Sequence, residues 1–129
     1  MKILVENKDK NKIIYQITCC VGPHLKEYHY IGYTKRTLEK RLQEHLFTNT
    51  AVTKFIKIND VRCVRAEVLE ECEYEQLLDS AETRHIANYI LKRGTKANKR
   101  NHLINIDLKG LNRYTLKNVK SIYNKLQFN

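Results

Sequence analysis

Tryptophan is absent from the chain's 129 residues, and proline and methionine occur once each. No stretch approaches the roughly 20 consecutive apolar residues that a membrane-spanning helix needs. The opening MKILVENKDK lacks the apolar core of a secretory signal. Nor is there a basic amphipathic helix with the broad Trp/Phe/Leu face of a membrane-surface segment. These absences lead us to expect no membrane partner and an intracellular protein, cytoplasmic or, where the source cell has a nucleus, nuclear. Cys19, Cys20, Cys63 and Cys72 lack the spacing of a zinc finger or ribbon. On a strand, adjacent Cys19 and Cys20 point to opposite faces and make poor partners for one metal. Reduced, structural thiols are the expectation. Internal repeats and low-complexity tracts are also missing, and the length fits one domain over 1–129. That leaves room for one core, but not for a catalytic domain beside a large recognition domain.

What the chain does have is positive charge. Lysine and arginine total 24 against 14 acidic residues, a formal net charge of +10 and a pI near 9.5. This balance favours an anionic partner, most commonly nucleic acid.

Along the chain, Lys2–Glu6 and Ile13–Cys19 read as strands separated by the polar NKDKN, which suggests a hairpin. In the second strand Ile13, Tyr15 and Ile17 share one face, so Tyr15 sits among isoleucines and must bring its hydroxyl to a partner or a cleft. Val21–Glu27 carries the single proline and a glycine and reads as a loop. Ala51–Ile58 has helical spacing at Val52, Phe55 and Ile56, after a break at Asn49-Thr50, and Val61–Leu69 alternates as a strand. Tyr74–Leu91 is the longest helical segment, and residues 114–128 form a last helix.

The organising stretch is Tyr28–Leu46, YHYIGYTKRTLEKRLQEHL. Its first part alternates with period two, placing Tyr28, Tyr30 and Gly32 on one face. Gly32, without a Cβ, lets the chain turn or another group come close. From about Thr37 to Phe47 the period changes: Leu38, Leu42 and Leu46 form a helical stripe, and Arg41 and His45 share a face one turn apart. Thr34 is a candidate N-cap or turn residue. Glu82 falls inside the apolar stripe Leu78, Ala81, Ile86, Tyr89. A carboxylate there is costly unless it is paired or bound to a cation, the plain alternative being a rim position open to water. Asn105 lies between two isoleucines in the short buried run 102–107, just after the basic loop KRGTKANKRN.

Together IIY (Ile13–Tyr15), YIG (Tyr30–Gly32), Arg41, His45, Glu82 and Asn105 resemble the motifs of the GIY-YIG nuclease superfamily over residues 13–107. The specific part is YIG followed by T-x-x-x-L-x-x-R-L-x-x-H. There are departures. Ile13 replaces the first glycine, and the stretch from Tyr15 to Tyr30 is long, so a longer hairpin loop is expected. The resemblance implies an α/β (α+β) fold, a small central antiparallel sheet flanked by helices, with these side chains converging on one basic cleft.

It also implies a divalent-metal-dependent DNA endonuclease. Glu82 would bind one Mg²⁺ (or Mn²⁺) and Arg41 would meet the phosphate. One of the two tyrosines, Tyr15 ahead of Tyr30, would orient or deprotonate the attacking water, its phenol assisted by Lys35, Arg41 or His45. Asn105 would fix its loop or hydrogen-bond near the phosphate. Lys35, Arg36, Lys92, Arg93, Lys96, Lys99 and Arg100 are candidate DNA-backbone contacts, the loop lysines being equally readable as a solvated surface. The competing class is a nucleic-acid-binding module without catalysis, for which Glu82 would have no use. Site selection would fall to DNA structure, a protein partner or a homodimer.

Overall fold

The alternation in IIYQITCCV is resolved on both sides of a sheet. In a computed structural model, which describes residues 1–94, 101–105, 111 and 116–127, strand β2 (Ile13–Val21) is the most deeply covered strand. It pairs antiparallel with β3 (Lys26–Thr34) on one side and with β4 (Val61–Glu71) on the other. Strand β1 (Lys2–Val5) completes a four-stranded sheet of order β1-β4-β2-β3. On one face Ile13, Tyr15, Ile17 and Cys19 pack with Leu38 and Leu42 of α1 (Leu38–Phe47) and Val52 of α2 (Ala51–Ile58). On the other, Ile14 and Ile31 pack with Leu78, Ile86 and Ile90 of α3 (Leu78–Arg93) and Val119 of α4 (Leu116–Gln127). Ile13, Ile14 and Ile17 are fully buried, each contributing roughly 1.5–3 kcal/mol.

The sheet departs from the sequence reading in two places. β1 does not form a hairpin with β2; it pairs in parallel with β4, Lys2 opposite Cys63 through Val5 opposite Ala66. The polar link is long enough to carry the chain across, and both edges of β2 are already paired, with β3 and with β4, so β1 adds to the outer edge of β4. Nor is Val21–Glu27 a long loop. Strands β2 and β3 run on to Val21 and Lys26, leaving a tight connection closed by a Leu25 N–H donating to the Gly22 carbonyl at 3.1 Å. Gly22 there has φ of 72°, the left-handed region that glycine enters without penalty.

The outer edge of β3 is covered by residues 101–105. His29 N–H donates to the His102 carbonyl at 2.9 Å, and Ile104 N–H donates back to the His29 carbonyl at 2.6 Å. Asn105 then continues the ladder with its side chain: its Oδ1 accepts from Ile31 N–H at 2.9 Å and its Nδ2 donates to the Ile31 carbonyl at 2.7 Å. A side-chain amide thus satisfies an edge strand in the middle of the YIG triplet. Among the described residues all four cysteines are free thiols, and no helix is long and apolar enough to cross a membrane.

Asn105→Ala would leave two buried backbone groups of Ile31 without partners, at ~1–3 kcal/mol each. Urea denaturation should show a loss of about 2–4 kcal/mol, and an unchanged midpoint would contradict this role.

Candidate active site

Antiparallel register sets Gly32 directly across from Tyr15. The phenol of Tyr15 lies over that glycine: a Cβ at Gly32 would stand 2.5 Å from the Tyr15 oxygen, 2.7 Å from Cζ and 2.8 Å from Cε1 of Tyr30. Only a hydrogen fits, so the glycine of YIG is required by close approach. One residue earlier, the β2–β4 register shifts between Ile14 and Tyr15; a bulge there bends the strand and re-aims the side chain that follows it.

Helix α1 arrives from the next turn. Thr34 Oγ1 accepts from Arg36 N–H at 3.0 Å, so Thr34 is the turn residue, while Thr37 is the N-cap, accepting from Lys40 N–H at 3.3 Å. The first free N–H groups of the helix, Leu38 and Glu39, donate to the carbonyls of Lys10 and Lys8 at 3.0 and 2.9 Å. This docking fixes the phase of the helix, and Arg41 and His45 both turn to Tyr15. Arg41 Nε donates to the Tyr15 oxygen at 3.0 Å, and the same oxygen lies 2.8 Å from Nε2 of His45. Tyr30 completes the group, its ring 6.3 Å from Tyr15 and edge-on to His45 at 4.9 Å.

Glu82 of α3 is 8 % exposed, a buried carboxylate and not a rim one. Its charge acts on both phenols. The Tyr15 phenol is raised well above its ordinary value, first by burial, then by Tyr30, with Arg41 opposing and Glu82 adding. Tyr30 is raised by burial, with Arg41 opposing and Glu82 again adding. His45 is fully buried and pushed down to about 3 by that burial and by the neighbouring Arg41 charge. The site at rest therefore holds a neutral phenol, a neutral imidazole and one permanent cation. Burial lowers Arg41, but the phenol of Tyr15 and the Glu44 carboxylate outweigh it and push it up.

Lys35 pairs with Glu75 at 3.9 Å, away from the phenol it was offered to; Arg41 and His45 both hold that phenol. Asn105 sits on the backbone of Ile31, the loop-fixing position of the two suggested for it. Arg36 pairs with Glu44 at 2.9 Å, and Lys92 and Arg93 are exposed at the end of α3, Arg93 over the ring of Tyr89 at 5.4 Å. Lys96, Lys99 and Arg100 lie outside the described residues.

Three contributors were not singled out from the sequence. Glu44 takes Arg41 Nη1 at 2.7 Å and holds the guanidinium in place. Thr50 lies 2.8 Å from His45 Nδ1, and Thr53 donates to the His45 carbonyl at 2.7 Å. The signal was available: threonines three apart at the start of a helix form a capping box, where the sequence reading saw only a break.

The family model of the GIY-YIG catalytic domain matches residues 11–101. The chain belongs to the GIY-YIG family. Domains of this kind are in general nucleases. No curated protein and no solved structure matches the chain. The matched span of the GIY-YIG domain contains Tyr15, Tyr30, Arg41, His45 and Glu82, and ends before Asn105.

A buried neutral histidine has a consequence for stability. Its ordinary value is 6.5 and its folded value about 3, so below pH 6.5 the unfolded chain takes up a proton that the folded site refuses. Stability from His45 is complete above pH 6.5 and declines as pH falls toward 3. Denaturation curves from about pH 8 to 4 should show that decline, and His45→Asn should flatten it by close to one proton. His29, also lowered by burial, and the carboxylates of Glu27 and Glu70, lowered by their Arg and His partners, contribute to the remaining slope. Equal slopes in the two proteins would contradict the neutral ring.

Proposed function

We propose that this protein is a divalent-metal-dependent DNA endonuclease, hydrolysing phosphodiester bonds at the site where α1 meets the YIG strand. The observation that carries the reading is the buried Tyr15 oxygen held between Arg41 Nε at 3.0 Å and His45 Nε2 at 2.8 Å. A phenol needs no such clasp to pack.

The donor set suits one hard cation. Among the described residues no group of three or more His, Cys, Asp or Glu could enclose a metal, which disfavours a zinc-type site. Glu82, a single buried carboxylate near two phenols, fits Mg²⁺ or Mn²⁺, which keep several waters and take further oxygens from substrate phosphate. When bound, the ion would polarise the scissile phosphate and offset charge on the leaving oxygen.

The chain's own groups do the rest. Tyr15 orients the attacking water and takes its proton. Because its phenol is neutral, it must give up its own proton as it does so, and His45 is the group within reach. Arg41 depresses His45 at rest. An incoming phosphodiester places negative charge beside Arg41, cancels part of that effect and makes the imidazole a better acceptor. Arg41 also meets the phosphate as charge builds on it. Its Nε and Nη1 are oriented by Tyr15 and Glu44, so the guanidinium is preorganised, the condition under which such donors act most strongly. Tyr30 flanks the water position. Lys35, Arg36, Lys92, Arg93, Lys96, Lys99 and Arg100 would follow the DNA backbone, in keeping with the net charge of +10. Choice of cleavage site would rest on DNA structure, on a protein partner or on a second copy of the chain.

Arg41→Lys keeps the charge and removes the fork. It should bind DNA nearly as the parent does and cleave ~10²–10³-fold more slowly. Glu82→Gln should bind and not cleave. Both are read by gel-shift titration beside single-turnover cleavage; parental cleavage in either variant would withdraw that residue from the site.

A further inference from the structure

The hydrogen bonds around His45 can be counted proton by proton, and the count decides which nitrogen of its ring is protonated. Thr53 has one hydroxyl proton, and it is spent on the His45 carbonyl at 2.7 Å, an atom that can only accept. Thr50 and Thr53 hydroxyl oxygens lie 3.0 Å apart. A hydrogen bond there needs a proton, and only Thr50 has one to give. The backbone N–H groups of the same pair supply none for that contact, since Thr50 N–H points to Thr53 Oγ1 at 3.2 Å and Thr53 N–H to Thr50 Oγ1 at 3.2 Å. With its own proton directed at Thr53, Thr50 Oγ1 can meet His45 Nδ1, 2.8 Å away, only as an acceptor. Nδ1 therefore carries the ring proton. In a neutral imidazole Nε2 is then a bare lone pair, so the 2.8 Å contact with Tyr15 has the phenol as donor. Arg41 Nε–H occupies the other side of the phenol oxygen at 3.0 Å.

We infer that Thr50 and Thr53, through the capping box of α2, are positioning residues that hold His45 as the Nδ1–H tautomer and so aim the Tyr15 proton at Nε2. The inference rests on the nuclease reading for its purpose, though not for its geometry. In the opposite tautomer the phenol oxygen would receive N–H bonds from both Arg41 and His45. Its own proton would then have no base to enter, and Tyr15 could not relieve water of a proton. With the threonines as they stand, one proton passes from water to the Tyr15 oxygen while the phenol proton passes to Nε2. Hydroxide is left to attack phosphorus, and His45 is left as imidazolium. The reverse transfer through Tyr15 resets the site. The threonines touch neither water nor phosphate and act only through the ring.

The test is ring-¹⁵N histidine NMR on the full chain without DNA or metal, the His45 signals being assigned by their loss in His45→Asn. The parent should show a protonated, pyrrole-type Nδ1 and a pyridine-type Nε2. Thr50→Val removes the acceptor at Nδ1. An Nδ1–H would then be buried against a methyl group, so the ring should turn over to Nε2–H, which can still donate to Tyr15. Single-turnover cleavage by this variant should fall by ~10²-fold, the low end of the range for general acid–base catalysis, with DNA affinity unchanged. Thr50→Ser keeps hydroxyl and cap and should restore both signals and rate. Should Thr50→Val fail to fold, Thr53→Val provides the second arm: it frees the Thr50 proton to enter Nδ1, and the Nε2–H form should grow. A parent ring protonated at Nε2, or a tautomer unmoved by both valine variants, overturns the inference. A protein that shows the Nδ1–H ring yet cleaves no DNA would overturn the nuclease reading and leave the tautomer assignment standing.

Discussion

A phenol oxygen resting where Gly32 has no side chain is the contact on which the site depends. A Cβ at that position would stand 2.5 Å from it, so the register of β2 on β3 and the identity of residue 32 are a single constraint. From that seat the oxygen reaches Arg41 and His45, whose spacing of one helical turn is the spacing that lets both meet one atom. α1 can present them because its first turn is docked on the carbonyls of Lys8 and Lys10, and the edge strand is pinned beside Gly32, at Ile31, by Asn105.

The electrostatics follow from burial. Tyr15 and His45 are both fully covered, and low polarisability disfavours the charged form of each. At rest the site therefore holds a neutral phenol and a neutral imidazole beside the Arg41 cation. On the proposed reading this arrangement separates recognition from chemistry: exposed lysines and arginines would draw DNA through the net positive charge, and the buried groups would change their proton affinities when an anionic substrate sits beside Arg41.

Much of this was legible in the sequence, for reasons that differ by residue. Tyr15 could be read because an aromatic polar side chain flanked by Ile13 and Ile17 must bring its hydroxyl somewhere. Glu82 could be read because a carboxylate in an apolar stripe is anomalous. The Gly32 contact was legible only as permission for something to come close; the register that brings Tyr15 there is a tertiary fact. Topology was harder. Adjacent runs divided by a polar turn suggest a hairpin, yet β1 crosses to pair in parallel with β4, because the two edges of β2 are taken by β3 and β4. The Val21–Glu27 loop was overestimated because Pro23 and Gly22 mark a turn without revealing how tightly strands close on it. Thr50 and Thr53 were missed since a capping pair carries no catalytic signature until a histidine ring is found against it.

The central claim is that the buried phenol site hydrolyses DNA with a divalent ion, and nicking of supercoiled plasmid tests it most directly. Purified protein should convert supercoiled to open-circular DNA in the presence of Mg²⁺ or Mn²⁺, stop when EDTA is added, and leave ends that a ligase can reseal where hydrolysis yields a 5′-phosphate. Binding without nicking in either metal, across linear, flapped and branched substrates as well as plasmid, would contradict the account and leave a nucleic-acid-binding module in its place.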